Sequence, residues 1–143
     1  MVHKFETKQD TARPLRILVA EGDEKHRSRV SEALRRDGCE VVEVHDAVDA
    51  MDYLAQTLTT GNVSDRLDLI LSELWMPVFS GLDLLARIRR APWAVPVVLF
   101  ADLRDDQNTA EAQRLGAAAI LDRGCELEAL RHVVSLATRE ARP

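Results

Sequence analysis

The chain has 143 residues, 46% hydrophobic and 30% charged, with six Gly and five Pro, a composition that suits a packed core and excludes a disordered or fibrous chain. That length fits one domain, and a second full domain is not expected. Nineteen Lys and Arg against 24 Asp and Glu give a net charge of −5, so electrostatics does not favour a phosphate backbone and no nucleic acid partner is expected. Apolar runs stay short of the roughly 20 residues that cross a bilayer, and the polar tail Met1–Pro14 lacks the apolar centre of a signal peptide. A soluble, cytoplasmic protein without a membrane partner is expected, with one domain over 15–140.

In chain order, Arg16–Ala20 (RILVA) is a short apolar run suited to a strand buried on both faces. Glu24–Asp37 has its apolar Val30, Ala33 and Leu34 on one helical face, and Gly38 stops the helix. Cys39–Val44 is the second strand. Ala47, Ala50, Met51 and Leu54 then recur at i, i+3, i+4 and i+7, a second amphipathic helix with Asp46 as its cap. Thr57–Arg66 is polar with a Gly and is expected to be a loop before the third strand, Leu67–Leu71.

Ser80 and Asp83 have capping-box spacing and open a helix through Leu84, Leu85 and Ile88. Arg87, Arg89 and Arg90 suit the negative end of its dipole, which makes the arginine cluster a helix terminus before it is a binding patch. Pro96–Ala101 is the fourth strand, Asp105–Leu115 a polar helix ended by Gly116, and Ala117–Leu121 the fifth strand. Glu126–Glu140 is the last helix, acidic at its start and apolar along Leu127, Leu130, Val133, Val134 and Ala137.

Strands buried on both faces and alternating with helices demand right-handed crossovers, hence an α/β fold with a doubly wound, five-stranded parallel sheet. In such sheets ligands bind beyond the carboxyl ends of the strands, at the topological switch point. Those ends carry Glu21, Gly22 and Asp23, then Ser72, Glu73, Trp75 and Met76, then Ala101 and Asp102, and finally Asp122, Arg123 and Gly124. Carboxylates with one cation across a crevice are the arrangement for a divalent ion and a phosphoryl group. The two cysteines, Cys39 and Cys125, have neither metal nor redox spacing and are taken as idle thiols. His3, His26, His45 and His132 have no partner at ligand spacing, so a metal site has to be built from carboxylates.

From Leu15 to about Arg139 the sequence resembles the receiver domain of bacterial two-component response regulators. ILVAEGD is similar to the family's strand with its acidic pair, and DLILSELWMPVFSG to its strand, phosphoacceptor, Met-Pro and Gly. PVVLFA resembles the strand ending in a switch hydroxyl, and AQRLGAAAILDRG the Gly-Ala strand ending in Lys-Pro. The resemblance implies the flavodoxin-like strand order 2-1-3-4-5. Aligned on Met76-Pro77, the phosphoacceptor falls on Glu73, the acidic pair on Glu21 and Gly22, the switch residue on Ala101, and the Lys on Arg123. This is a degenerate, pseudo-receiver pattern. The family's Mg²⁺ ligands map to Glu21, Glu73 and the backbone carbonyl of Trp75, with Asp23 either a substitute ligand or a helix cap. No cofactor is expected, and Mg²⁺ is the ion to test.

Moving the nucleophile by one methylene, roughly 1.5 Å, costs on the order of 100-fold in phosphoryl transfer, so no catalytic residue is expected at these positions. Glu73 is expected instead as a permanent negative charge paired with Arg123, a bidentate pair in its best geometry. Ile120 stands where the family has an aromatic residue, which weakens the relay through Ala101. The Arg123-Gly124 bond is expected to be trans. Trp75, Phe79 and Phe100 are placed near the crevice as core or as a partner patch. The resemblance implies an output face on the fourth helix, fifth strand and fifth helix, with Gln107, Glu111, Arg114 and Arg131 as contact residues. The leading expectation is a signalling module of the phosphorelay type, not an enzyme, that contacts a histidine kinase or downstream effector without Asp phosphorylation. The alternative is a working response regulator phosphorylated at Glu73, and a homodimer is left open. A nucleotide or flavin binder lacks its Gly-rich phosphate loop.

Overall fold

The computed structural model describes residues 13–60, 66–76, 78–91 and 93–141. Residues 1–12 (His3 among them), residues 61–65 of the expected loop, Pro77 of the Met-Pro pair, Pro92 and residues 142–143 lie outside the described residues. The described strands are β1 (Arg16–Ala20), β2 (Glu40–Val44), β3 (Leu69–Glu73), β4 (Val97–Ala101) and β5 (Ala119–Asp122), all parallel in the order β2-β1-β3-β4-β5. The helices are α1 (Glu24–Arg36), α2 (Ala47–Thr60), α3 (Gly81–Arg90), α4 (Asp106–Arg114) and α5 (Leu127–Ala141).

The doubly buried strands alternate side chains between two apolar layers, as a parallel sheet covered on both faces requires. On one face, Ile17, Val19, Leu69, Leu71, Val98 and Phe100 pack with Val30 and Leu34 of α1 and Leu130, Val134 and Ala137 of α5. On the other, Leu18, Ile70, Val97 and Leu99 pack with Ala47, Ala50 and Leu54 of α2, Leu84, Leu85 and Ile88 of α3, and Ala112 of α4. Each fully buried Leu or Ile contributes roughly 1.5–3 kcal/mol. The layers set the geometry of the carboxyl edge: β1 leaves toward β2 on one side, β3 follows on the other, and the crevice opens between β1 and β3.

Several boundaries differ from the sequence expectations, each for a local reason. The second helix runs on through Thr57 to Thr60, where a loop was expected, and the Thr57 hydroxyl, turned back within the helix, donates to the Tyr53 carbonyl at 2.9 Å. The third strand begins at Leu69 rather than Leu67 because Asp68 is engaged as an anchor. Its carboxylate takes the Arg16 amide at 2.8 Å and both Arg13 guanidinium nitrogens at 2.8 and 3.2 Å. The same strand extends through Ser72 and Glu73, and the ladder continues as the Leu74 amide donates to the Phe100 carbonyl. Glu73 is therefore the last residue of a strand and not part of the loop after it. β5 starts at Ala119 rather than Ala117, since the Ala117 amide is used to close α4 on the Ala112 carbonyl. Asp37 caps α1 and Gly38, at φ +90, turns the chain beyond it.

The expected capping box opens α3: Ser80 Oγ accepts from the Asp83 amide while the Asp83 carboxylate accepts from the Ser80 amide. At its end, Arg89 donates to the carbonyls of Val95 and Gly116, and Arg87 lies over the Phe79 ring at 4.4 Å, so the arginines finish the helix and bind its surroundings. Gly81 at the helix start touches β3 so closely that a Cβ there would fall 2.5 Å from the Glu73 carbonyl oxygen and 3.0 Å from Leu74 Cα. Both are backbone atoms, and neither has a rotamer by which to yield. Gly81→Ala is therefore expected to destabilise the protein by about 3 kcal/mol, measured by urea denaturation, whereas Ser80→Ala costs about 1 kcal/mol through loss of the cap.

Candidate functional site

The crevice is built from the ends of β1, β3 and β5. Glu21 follows β1 directly and is fixed by main-chain bonds: its amide donates to the Val44 carbonyl at 3.1 Å, and its own carbonyl accepts from Arg27 at 2.8 Å. Its carboxylate, 4% exposed, is turned inward, where Oε2 accepts from the Asp23 amide at 2.9 Å and Oε1 meets His26 Nδ1 at 2.6 Å. Glu73, 7% exposed, comes in from β3 and hydrogen-bonds the Glu21 carboxyl. Arg123, following β5, closes the pocket. Its guanidinium lies 3.1 Å from Asp23 Oδ2, 3.6 Å from Glu21 Oε2 and 3.5 Å from Glu73 Oε2.

Two buried carboxyls in contact cannot both ionise cheaply, and the pair divides accordingly. Burial, the hydrogen bond to Glu21 and the Glu21 charge push the Glu73 carboxyl up to about 8, against the pull of Arg123. For Glu21, burial alone raises the pKa, but the bonds from His26, Glu73 and the Asp23 amide, with the charge of Arg123, bring it down to about 2. Of the two, Glu73 is the harder carboxyl to ionise, a direction that runs against a permanent negative charge there. The expected Glu73–Arg123 pair is present through a single Nε–Oε2 contact at 3.5 Å rather than as a bidentate one, and Arg123 also meets Glu21 and, at its shortest distance, Asp23. The reason is topological, since Asp23 stands at the mouth, where the half-exposed guanidinium arrives first.

Asp23 is the N-cap of α1, its side chain accepting from the Lys25 amide at 3.0 Å while it also holds Arg123. Gly22 leaves a gap that nothing else fills. A Cβ there would meet only the His45 carbonyl, at 3.5 Å, so the fold has room for a side chain at this position. Ala101, at the end of β4, is buried and packs in the layer opposite Phe100, with Ile120 at its edge. The Trp75 side chain is 58% exposed on the rim, where it shares a cavity of about 600 Å³ with Glu73, Asp102, Leu103, Arg104, Asp122 and Arg123. Phe79 is drawn away by Arg87, and Phe100 lies in the core with its ring edge-on to His26 at 5.0 Å. Of the three aromatic residues placed near the crevice, only Trp75 faces it openly. None of the described peptide bonds is cis, the one between Arg123 and Gly124 included.

His26 is the residue that sequence spacing missed. Five positions after Glu21, it reaches back across the first turn of α1, a contact made by the strand-to-helix turn rather than by any helical repeat. His45 is the other correction. Its Nδ1 lies 2.8 Å from Asp49 and its Nε2 3.3 Å from Asp46, an exposed i,i+4 arrangement at the start of α2. Both cysteines are free and half-buried, with burial first and neighbouring carboxylates second raising their thiol pKa values.

The residues grouped as an output face lie on two helices. Gln107, Glu111 and Arg114 are all on α4, with Arg114 and Glu111 joined at 2.6 Å. Arg131 instead donates to Asp37, at the end of α1, at 2.9 Å and to Glu128 at 3.1 Å, so it belongs to the α1–α5 layer.

The residues present do not fit the Mg²⁺ that the resemblance implies. Mg²⁺ takes oxygen ligands in near-octahedral geometry, whereas this pocket has no side chain at Gly22, an imidazole nitrogen against Glu21 and a guanidinium among the carboxylates.

A doubly wound sheet with paired acids after β1 and at the end of β3, faced by one cation after β5, defines a receiver-type α/β module. The response regulator receiver domain model matches residues 17–135, and the chain belongs to that family, the receiving module of two-component signalling. It is 27% identical over 103 residues to the alkaline phosphatase synthesis transcriptional regulatory protein SphR of Synechococcus elongatus, covering 71% of this chain and 40% of that protein. It is 31% identical over 120 residues to the response regulator protein FleR of Pseudomonas aeruginosa, covering 84% of this chain and 24% of FleR. The chain spans less than half the length of either relative. A crystal structure of the signal receiver domain of an HD domain-containing protein from Pseudomonas fluorescens Pf-5 superposes with a TM-score of 0.78 at 23% identity, over 90% of this chain and 97% of that one. That likeness shows the fold. No described helix is long and apolar enough to cross a membrane.

The carboxyl pair makes stability depend on pH in two windows. Glu73 is raised on folding, so its contribution is complete below about 4.5 and is lost as pH climbs toward about 8. Glu21 is lowered, so its contribution is present above about 4.5 and is lost as pH falls toward about 2. Glu73→Gln keeps the shape and a donor but removes the titration. Urea denaturation from pH 5 to pH 8 is expected to show the wild type losing stability relative to Glu73→Gln, with a slope bounded by about 1.4 kcal/mol per pH unit.

Proposed function

We propose that this chain is a degenerate receiver that signals by protein–protein contact in the cytoplasm, without Asp phosphorylation and without turnover of a substrate. The observation that carries this reading is the state of Glu73. It occupies the phosphoacceptor position but is one methylene longer than Asp, is buried against Glu21, which helps raise its pKa, and has the Arg123 guanidinium 3.5 Å from its Oε2. A carboxyl that resists ionisation is a poor nucleophile toward phosphorus, and transfer relies on positioning and charge neutralisation that this pocket lacks. Arg123 reaches all three carboxyl groups of the pocket from within, which favours one fixed arrangement over a phosphate-dependent equilibrium.

The partner is a signalling protein, either a histidine kinase or a downstream effector. Gln107, Glu111 and Arg114 on α4, beside the free edge of β5, offer the contact surface, and Arg131 is left out because Asp37 engages it. Phosphorylation at Glu73 by a histidine kinase is the competing function, and it is the one most easily measured.

Incubation with Mg²⁺ and acetyl phosphate, followed by intact-mass analysis, is expected to give no phosphoryl adduct on the wild type. A stoichiometric adduct at Glu73 would overturn the reading. The double variant Gly22→Asp, Glu73→Asp is expected to bind Mg²⁺ detectably, since the fold has room for the added carboxylate.

A further inference from the structure

At the amino edge of the sheet, opposite the acidic crevice, the segments before β4 and β5 and the middle of α5 border an open cavity of about 450 Å³. Its walls are apolar, formed by Val95, Pro96, Ala119, Val133, Leu136 and Ala137. The one charged side chain on its lining is Arg89, whose guanidinium donates to the carbonyls of Val95 and Gly116 at 3.3 Å each. We propose that this cavity binds a small amphiphilic monocarboxylate, its apolar body against α5 and its carboxylate on Arg89.

The first support is the state of Arg89. Among the described residues no carboxylate lies within ion-pair distance of it, and its two bonds, to neutral carbonyls, are longer than the usual N–H···O range. A place in the last turn of α3 accounts for a cation there, through the helix dipole, but leaves the planar fork of donors open, and that fork matches a carboxylate. The second support is the apolar wall. α5 turns Leu130, Val134 and Ala137 to the core, yet Leu136 stays 41% exposed on the cavity. β5 is the edge strand, so no neighbouring strand closes the cavity on that side. The volume falls in the range of small-molecule sites, and apolar walls with one convergent charged group are their usual lining. A single cation favours a monocarboxylate over a phosphate, whose further charge meets no second cation among the lining residues.

The site lies at the other edge of the sheet from Glu73 and stands whether or not Glu73 takes a phosphoryl group. The experiment titrates the full chain with sodium octanoate, below its micellar concentration, and follows the methyl resonances by NMR. Saturable shifts are expected at Val95, Val133 and Leu136. Affinity is expected to rise about threefold per methylene from hexanoate to octanoate, as an apolar body leaving water requires. It is expected to fall about fivefold for octanol, which keeps the body and lacks the charge, and by a similar factor in Arg89→Gln. Leu136→Ser, at an exposed position, is expected to weaken octanoate about fivefold as well, and it carries the test if thermal melts show Arg89→Gln to be unfolded. Absence of saturable binding, shifts scattered over the whole surface, octanol bound as tightly as octanoate, or unchanged affinity in the folded variants would each overturn the assignment.

Discussion

Two carboxyls brought face to face in a buried crevice govern everything at the carboxyl edge of this sheet. β1 and β3 are adjacent in the ladder, so the residues at their ends cannot avoid each other, and burial forbids two full charges there. The molecule answers with a raised pKa at Glu73, an imidazole and a main-chain amide on Glu21, and a guanidinium laid over both. The position of α1 is bound up with the same contact: Asp23 caps it, Arg27 returns to the Glu21 carbonyl, and His26 must face inward.

Beneath the pocket, the scaffold is that of an ordinary receiver, and the two layers of core residues do not depend on what the pocket contains. At Gly22 an added Cβ would meet only the His45 carbonyl, at 3.5 Å. Packing and site chemistry are separable in folds that support several functions.

Much of the fold was legible in the sequence because strands buried on both faces and helices with one apolar face leave unmistakable periodicities. Boundaries were less so. Asp68 looked like a strand residue until its carboxylate was found holding Arg13 and Arg16, and Thr57 looked like a loop residue because its hydroxyl's bond to Tyr53 has no signature in composition. Within the pocket, motif alignment found Glu21, Glu73, Ala101 and Arg123, but not their charge state. How residues 21 and 73 divide their charge depends on distance and burial, neither of which is written in a one-dimensional string. His26 escaped for a related reason, since a contact across a strand-to-helix turn obeys no period. Arg131 turns toward Asp37, which the sequence did not show because a helix-face argument does not say which neighbour will claim a long side chain.

Gly81 has a mechanical consequence. With its amide 2.7 Å from the Leu74 carbonyl and its Cα pressed on the main chain of Glu73, there is no slack between the end of β3 and the first turn of α3. A displacement of the Glu73 backbone would therefore meet the first turn of α3 directly, through main-chain atoms that have no rotamer by which to yield.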